Sequence, residues 1–245
     1  MKLTVLGKYG PFPAPGGACS GYLLESGGIS LALDLGSGTL GRLLSLKPTL
    51  DVSAILLSHL HSDHISDMFV LRYALQQLEA RGMRKTSLVS VAMPNEPAAE
   101  FNALSASGVY DIHQIYDGMR LRFDDMLIAF HRSLHPVPTY SIEISHHGKR
   151  FVYTGDTGYR EELLEVCRDA DFLLADTGFL NADKVSRTAA HLTAGEAGML
   201  ARECGVKQLV CTHIWPGYSD EQVLCEAQEI FPSAQVAREG TVYEI

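Results

Sequence analysis

The feature that most constrains this chain is a dense group of metal-binding side chains directly after a short apolar run. Residues 54–57 read Ala-Ile-Leu-Leu, which is typical of a buried strand. The next seven residues contain four side chains able to bind a metal ion: His59, His61, Asp63 and His64. Imidazole nitrogens and carboxylate oxygens at such spacing are the donors that zinc-type sites use. The sequence therefore predicts a metal site at a strand end, in preference to an ordinary polar loop.

The spacing within this group suggests two cations. His59 and His61 are two residues apart on a chain that leaves a strand, so their side chains are expected to point the same way and to bind one cation. Asp63 and His64 follow as the chain turns toward a helix, for which Ser66 or Asp67 is the predicted cap. Asp63 and His64 therefore suit a second cation nearby, or the water between two cations.

Three potential ligands in the second half of the chain continue this pattern. His135 lies in a proline-rich turn, where Pro136 restricts its backbone and favours a fixed ligand over a mobile surface histidine. Asp156 follows a strand pattern and a glycine; its two carboxylate oxygens suit a bridge between cations, although it could instead cap the helix predicted near Arg160. His213 directly follows another apolar run. We expect all three side chains near the first group.

The remaining polar candidates are expected to have other roles. Thr193 and Glu196 form a Thr-x-x-Glu capping box, which places His191 just ahead of a helix N-terminus, a favourable position for a phosphate group. Alternatively, His191 is a buried structural histidine. Asp34, which closes an early strand, is expected to hold loop amides. Four other histidines are expected at the surface: His113, His131, His146 and His147.

Composition and charge exclude several classes of protein. A formal charge of −9 argues against an extended nucleic-acid surface, but a small anionic substrate remains compatible because two bound cations would make a pocket locally positive. No apolar run is long enough to cross a membrane. The five cysteines form no Cys-x-x-Cys pair, and the N-terminus has no signal-peptide pattern, so we expect a cytoplasmic protein with reduced thiols. No linker composition divides residues 1–245, which indicates one domain.

The motif His-x-His-x-Asp-His at residues 59–64, after a buried strand, resembles the signature of the metallo-β-lactamase superfamily. With the later matches at His135, Asp156, His191 and His213, the resemblance spans nearly the whole chain and is greatest to the ribonuclease Z branch. It implies an α/β fold, the αβ/βα four-layer sandwich of two mixed sheets flanked by helices. Both halves of the chain show strand, polar loop and helix in succession, which agrees with two similar halves facing each other.

The resemblance also implies a ligand assignment and roles. His59, His61 and His135 would hold the first metal, and Asp63, His64 and His213 the second, with Asp156 shared. Two divalent ions are implied; Zn²⁺ fits these nitrogen and oxygen donors best, with Mn²⁺ or iron as alternatives. Asp63 would orient the attacking hydroxide, and His191 would stabilise the phosphate or protonate the leaving oxygen. Relatives with this pattern are often dimers, so a homodimer is implied as well.

One difference from ribonuclease Z bears on the substrate. Ribonuclease Z carries a long arm that grips transfer RNA between the positions matching His135 and Asp156, but only twenty residues separate them here, and they read as a hairpin. We therefore expect a phosphodiesterase acting on a small or short phosphodiester, such as a cyclic nucleotide or a short oligonucleotide. The alternatives are hydrolysis of a thioester, lactone or other carbonyl substrate, a full transfer-RNA 3′ processing endonuclease, and a sensor or scaffold without turnover. The role of the loop Pro11–Gly17 stays open, although its position before Cys19 could place it beside the substrate pocket.

Overall fold

Two mixed β-sheets pack face to face in the computed structural model, which describes residues 1–85, 87–186 and 189–245. Each sheet carries three helices on its outer side, so the expected four-layer αβ/βα sandwich is confirmed. None of the helices in these ranges is long and apolar enough to cross a membrane.

The first sheet is formed by the N-terminal half of the chain and the C-terminal strand. Its strands are β1 (Lys2–Gly7), β2 (Gly21–Ser26), β3 (Ile29–Leu35), β4 (Ala54–Leu56), β5 (Val89–Met93), β6 (Tyr110–Gln114) and β14 (Val242–Glu244). Its helices are α1 (Thr39–Leu46), α2 (Ser62–Ala80) and α3 (Ala98–Ser105). The strand order is β14-β1-β2-β3-β4-β5-β6, antiparallel as far as β3 and parallel from β3 to β6.

The second sheet repeats this arrangement in the C-terminal half. Its strands are β7 (Arg120–Phe123), β8 (Met126–Arg132), β9 (Tyr140–His146), β10 (Lys149–Tyr153), β11 (Phe172–Asp176), β12 (Leu209–Thr212) and β13 (Gln235–Val236). Its helices are α4 (Glu162–Cys167), α5 (Ala194–Glu203) and α6 (Asp220–Gln228). The order is β13-β12-β11-β10-β9-β8-β7, parallel from β10 to β13 and antiparallel from β7 to β10.

The apolar side chains form three buried layers. Alternate residues of both sheets meet in the central layer, among them Tyr22, Leu33, Phe130 and Phe151. The other residues of the same strands face outward and pack against the helices, as Leu23 does on the first sheet. Because strand side chains alternate between faces, one strand can serve two apolar layers, which explains the nearly unbroken apolar runs in the sequence.

The parallel strands bring their carboxyl ends to one rim of the sandwich. The segments after β3 and β4 belong to the first sheet, and those after β10, β11 and β12 to the second. Ligands of α/β proteins bind outside the carboxyl ends of such strands. Every predicted metal ligand except His135 lies in one of these segments or the helix start that follows it; His135 lies in the β8–β9 connection.

The structure corrects the predicted start of α2. Ser66 or Asp67 was the expected cap, but the helix begins at Ser62 with His61 as the N-cap residue. Asp67 is used elsewhere, because its Oδ2 accepts a hydrogen bond from Leu40 N at 2.7 Å, at the start of α1. Asp63 and His64 therefore lie in the first turn of α2, whose backbone fixes the angle between their side chains.

Candidate metal centre

The structure brings the seven predicted ligands together at the rim. His59 and His61 follow β4, while Asp63 and His64 begin α2. His135 approaches from the β8–β9 connection, and Asp156 and His213 follow β10 and β12 of the opposite sheet. Their donor atoms fall into two groups that share Asp156: His59, His61, His135 with Asp156, and Asp63, His64, His213 with Asp156. Within each group, all of the donor atoms lie within 4.8 Å of one another.

The first donor group is assembled around His61. Its Nδ1 lies 3.0 Å from His59 Nε2 and 3.1 Å from His135 Nε2, and His59 Nε2 lies 3.6 Å from Asp156 Oδ2. The expected convergence of His59 and His61 is therefore present, although β4 ends before them at Leu56. His61 and His135 are partly exposed, so this side of the centre opens to solvent.

The second donor group is more deeply buried. His213 Nε2 lies 3.1 Å from Asp63 Oδ2 and 3.2 Å from Asp156 Oδ2, and His64 Nε2 lies 3.2 Å from Asp156 Oδ1. His213 has a φ of 55°, in the left-handed region that only glycine adopts freely. Such a conformation costs about 1–3 kcal/mol and concentrates at functional sites. The backbone strain therefore fits a functional requirement for the position of His213.

Both groups fit divalent cations. Atoms bound to one tetrahedral Zn²⁺ at about 2.0–2.2 Å lie about 3.3–3.6 Å apart. The donor atoms quoted above for the two groups lie 3.0–3.6 Å apart, which is close to this range. Among the described residues, His64 Nε2 and Asp156 Oδ1 are buried and make no hydrogen bond. Buried polar atoms without partners are rare in native proteins and call for a ligand such as an ion. Asp156 has Oδ2 near both His59 and His213 and Oδ1 near His64, so it is placed to be shared.

The electrostatics of the centre also favour cations. Burial lowers the pKa of His213, but the carboxylates of Asp156, Asp176 and Asp63 raise it to about 10. Burial raises the pKa of Asp156, but the imidazoles of His213 and His64 hold it well below its usual value. The buried carboxylates thus attract positive charge, which divalent ions supply as well as protons do.

Asp34 lies behind the ligands and organises one of them. Its Oδ1 accepts a hydrogen bond from Ser58 N at 2.7 Å, which is the loop amide expected from the sequence. Its Oδ2 also accepts from Ser58 Oγ at 2.8 Å and from Tyr153 OH at 2.7 Å, across to the other sheet. His64 Nδ1 donates to the same oxygen at 2.8 Å, because an ionised carboxylate can only accept. This bond leaves His64 Nε2 free to bind a cation, as in carboxylate–histidine–metal arrangements.

Asp176 plays the same part for a further histidine, His191, and was not identified from the sequence. Its Oδ2 accepts a hydrogen bond from His191 Nδ1 at 2.9 Å and from Thr157 N at 2.9 Å. Its Oδ1 lies 3.5 Å from His213 Nδ1, and the rings of His191 and His213 stack with centroids 5.0 Å apart. The signal in the sequence was an Asp that ends a buried strand, the pattern already noted for Asp34.

His191 lies beside the predicted ligands and has a partly exposed ring. Burial lowers the pKa of its imidazole, but the Asp176 carboxylate raises it, and the pKa of His191 lies above its usual value. The ring of His191 also lies beside that of His135, with centroids 5.4 Å apart, and so borders the predicted ligands. The arrangement can donate a proton to a group bound at the rim.

The capping box ahead of α5 is present as expected. Thr193 Oγ1 accepts a hydrogen bond from Glu196 N at 2.9 Å and donates to Asn181 Oδ1 at 2.6 Å, and Thr193 N donates to Glu196 Oε2 at 2.9 Å. This network fixes the segment that carries His191.

We expect Thr193→Ala to lower the free energy of unfolding by about 0.5–2 kcal/mol, because Glu196 N loses its acceptor. Urea unfolding followed by circular dichroism measures this change. Ser219→Ala, at the capping box of α6, is the matched control and should cost less, since Ser219 is exposed whereas Thr193 is buried. Equal losses in the two variants would contradict the role given to Thr193.

Of the four histidines expected at the surface, one was wrongly assigned. His146 is 3% exposed; its Nδ1 lies 2.7 Å from Ser26 Oγ and its Nε2 lies 2.7 Å from Asp125 Oδ1. It ends β9 beneath the β2–β3 turn, a contact between sheets that a local pattern does not reveal. His113 and His147 are exposed, and His131 is partly exposed and paired with Glu143.

Comparison with known proteins agrees with the fold. Residues 36–214 match the Beta-lactamase superfamily domain. The chain is 33% identical over 251 residues to the probable metallo-hydrolase YhfI of Bacillus subtilis, with 100% of both chains covered. The crystal structure of the metallo-β-lactamase fold protein YhfI matches with a TM-score of 0.90 at 31% identity, over 100% of this chain and 98% of that one.

More distant matches include a ribonuclease Z in sequence and a diphosphatase in structure. A ribonuclease Z of Methanopyrus kandleri is 27% identical over 281 residues, covering 100% of this chain and 98% of that protein. A diphosphatase from the PhnP family shares the fold, with a TM-score of 0.77 at 18% identity over 100% of this chain and 97% of that one. The predicted resemblance is therefore confirmed, and the chain belongs to the β-lactamase superfamily of metallo-hydrolases, with ribonuclease Z among its relatives.

Proposed function

We propose that this metallo-hydrolase cleaves small phosphodiesters with two divalent ions, Zn²⁺ before Mn²⁺ or iron. The observation that carries the proposal is the pair of donor groups joined by Asp156, with His191 and Asp176 beside them. His59, His61 and His135 would hold one ion, and Asp63, His64 and His213 the other. Two ions bound there would lower the pKa of a bound water and would stabilise the negative charge that develops on the phosphoryl oxygens.

The side chains of the protein supply the remaining steps. Asp63, in the buried half of the centre, would orient the attacking water. His191, held by Asp176 through Nδ1, presents its Nε2 side as a proton donor to the leaving oxygen. Asp34 keeps His64 in one tautomer throughout. His61, His135 and His191 are the partly exposed members, so the substrate would enter between them.

The architecture near the centre favours a small substrate. The chain between His135 and Asp156 is the β9–β10 hairpin, with strands Tyr140–His146 and Lys149–Tyr153, where ribonuclease Z carries its arm. The formal charge of −9 also disfavours a long nucleic-acid contact. The names of a relative, a ribonuclease Z, and of a structural neighbour, a diphosphatase, support hydrolysis at phosphorus. A homodimer stays a prediction.

The proposal is tested by comparing substrate classes on the metal-loaded protein. We expect bis(p-nitrophenyl) phosphate to be hydrolysed, with rates well above those of an S-aryl thioester, a lactone and a precursor transfer RNA. His61→Ala should abolish the phosphodiesterase activity, which excludes a contaminating enzyme. Faster hydrolysis of the thioester or lactone would assign carbonyl chemistry to the protein instead. Efficient cleavage of the precursor transfer RNA would assign transfer-RNA processing. If none of these substrates is turned over, a sensor or scaffold role would replace the proposed enzyme.

We expect His191→Ala to slow cleavage of phosphodiesters with alkyl alcohol leaving groups by about 100- to 10,000-fold, because general acid catalysis is lost. Cleavage that releases p-nitrophenolate should change far less, since that leaving group needs no proton. The control is His113→Ala at an exposed histidine, which should leave both rates unchanged. Equal loss with both leaving groups would contradict the proton-donor role of His191.

A further inference from the structure

Two exposed aromatic side chains lie beside the metal centre and take no part in the chemistry described so far. Phe12 belongs to the proline-rich loop Pro11–Gly17, and Trp215 follows the predicted ligand His213 by two residues. Their ring centroids are 5.1 Å apart at an interplanar angle of 80°. Phe12 is 48% exposed and Trp215 is 40% exposed. Apolar surface of this kind beside a functional site indicates a binding surface.

The backbone fixes this pair next to His213. Ile214 N donates to Lys8 O at 2.9 Å, and Gly10 N donates to Ile214 O at 3.2 Å, so the two segments run side by side. A Cβ added to Gly10 would lie 2.0 Å from His213 Nε2, which shows how closely the loop backbone packs on the imidazole. Two residues of chain span at most about 7 Å, so the backbone positions of Phe12 and Trp215 both lie close to the centre.

The loop that carries Phe12 is held in one conformation. Pro11, Pro13 and Pro15 each fix a φ angle. Gly17 N donates to Ala14 O at 2.8 Å, and Arg42 Nη2 donates to Gly16 O at 3.1 Å.

Trp215 is also held by the backbone beside it. A Cβ on Gly217 would lie 2.6 Å from Trp215 Nε1, so the backbone there packs against the indole. Aromatic side chains held on a fixed backbone lose little entropy when they bind a ligand.

We propose that Phe12 and Trp215 form a stacking platform for a nucleobase of the substrate while the phosphodiester lies at the metal centre. The inference rests on the proposed function and names its substrate class, a phosphodiester of a nucleoside. An edge-to-face contact leaves ring faces open to a third planar group. Stacking accepts any base, because every base has a π-face. The platform binds the part of the substrate that does not react, and so sets KM more than kcat.

Trp215 is the only tryptophan of the sequence, so its fluorescence reports on the platform directly. We expect adenosine 5′-monophosphate to quench this fluorescence in the metal-loaded protein. Calorimetry should show that it binds about 5- to 150-fold more tightly than ribose 5-phosphate, which lacks the base. Trp215→Ala should remove most of this difference, Trp215→Phe should restore part of it, and Phe12→Ala should reduce it. Equal affinities for the two ligands in the unaltered protein would overturn the proposal.

Kinetics separate this inference from the proposed function. The p-nitrophenyl esters of thymidine 5′-phosphate and of 2-deoxyribose 5-phosphate share a leaving group and a sugar and differ in the base. Trp215→Ala should raise KM for the thymidine ester alone by about 5- to 150-fold and leave kcat within about twofold. Tyr116→Ala, at a tyrosine that is 63% exposed, is the control and should change neither. Turnover without base preference would refute the platform alone; base-dependent binding without turnover would refute the phosphodiesterase alone.

Discussion

Asp156→Asn is expected to reduce phosphodiester turnover by roughly 100- to 10,000-fold, the equivalent of the several kcal/mol that metal ions contribute to such reactions. Asp156 Oδ2 lies between His59 and His213, and Oδ1 faces His64, so this carboxylate belongs to both donor groups. An amide keeps the shape but has one oxygen donor and no charge. The variant should therefore also lose at least one of its bound ions, which elemental analysis of the purified protein measures.

The matched control is Asp111→Asn, which removes a carboxylate that is 58% exposed on β6. It should retain the metal content and the turnover of the unaltered protein. Asp156→Asn protein that keeps two ions and full activity would show that Asp156 is not shared between the donor groups. Circular dichroism of both variants establishes that the comparison is between folded proteins.

The second large effect is expected at a residue that touches no metal ion. Asp34→Asn should weaken metal binding by about 10- to 100-fold, as is typical when the partner of a ligating histidine is altered. The amide NH₂ cannot accept from His64 Nδ1, so the tautomer of that histidine is no longer fixed. Competition with a chromophoric chelator measures the affinity. Asparagine tolerates the positive φ of 53° found at this position, so the backbone should be retained.

Tyr153→Phe separates the metal effect from a loss of packing or hydrogen bonding. It removes one donor to Asp34, the phenol at 2.7 Å, and keeps the aromatic ring in the central layer. We expect it to lower the free energy of unfolding by about 0.5–1.5 kcal/mol and to leave the metal affinity unchanged. Equal metal affinity in Asp34→Asn and the unaltered protein would contradict the orienting role of Asp34.

The rim of the sandwich was predictable from the sequence because strand ends can be recognised locally. An apolar run followed by His or Asp marked the segments that carry His59, Asp156 and His213, and parallel strands then brought those segments to one edge. The resemblance supplied the fold and the division of the ligands, and the structure brings the same two groups together. Their roles as ligands stay a prediction that the experiments above test.

What the sequence did not reveal are contacts between distant segments. Tyr153 reaches Asp34 from the opposite sheet, and Asp176 holds His191, with neither pair marked by any local spacing. The start of α2 was placed too late because Asp67 accepts a hydrogen bond from the start of α1 and does not cap its own helix. His146 was assigned to the surface because a hairpin turn is usually exposed, yet the β2–β3 turn covers it. In each case the deciding contact comes from a segment distant in the sequence.

The most direct test of the dinuclear centre is a crystal structure of the protein loaded with zinc, with anomalous diffraction recorded on both sides of the zinc absorption edge. We expect two zinc peaks, one on each side of Asp156: one among His59, His61 and His135 and the other among Asp63, His64 and His213. A single peak, or peaks away from these residues, would contradict this expectation.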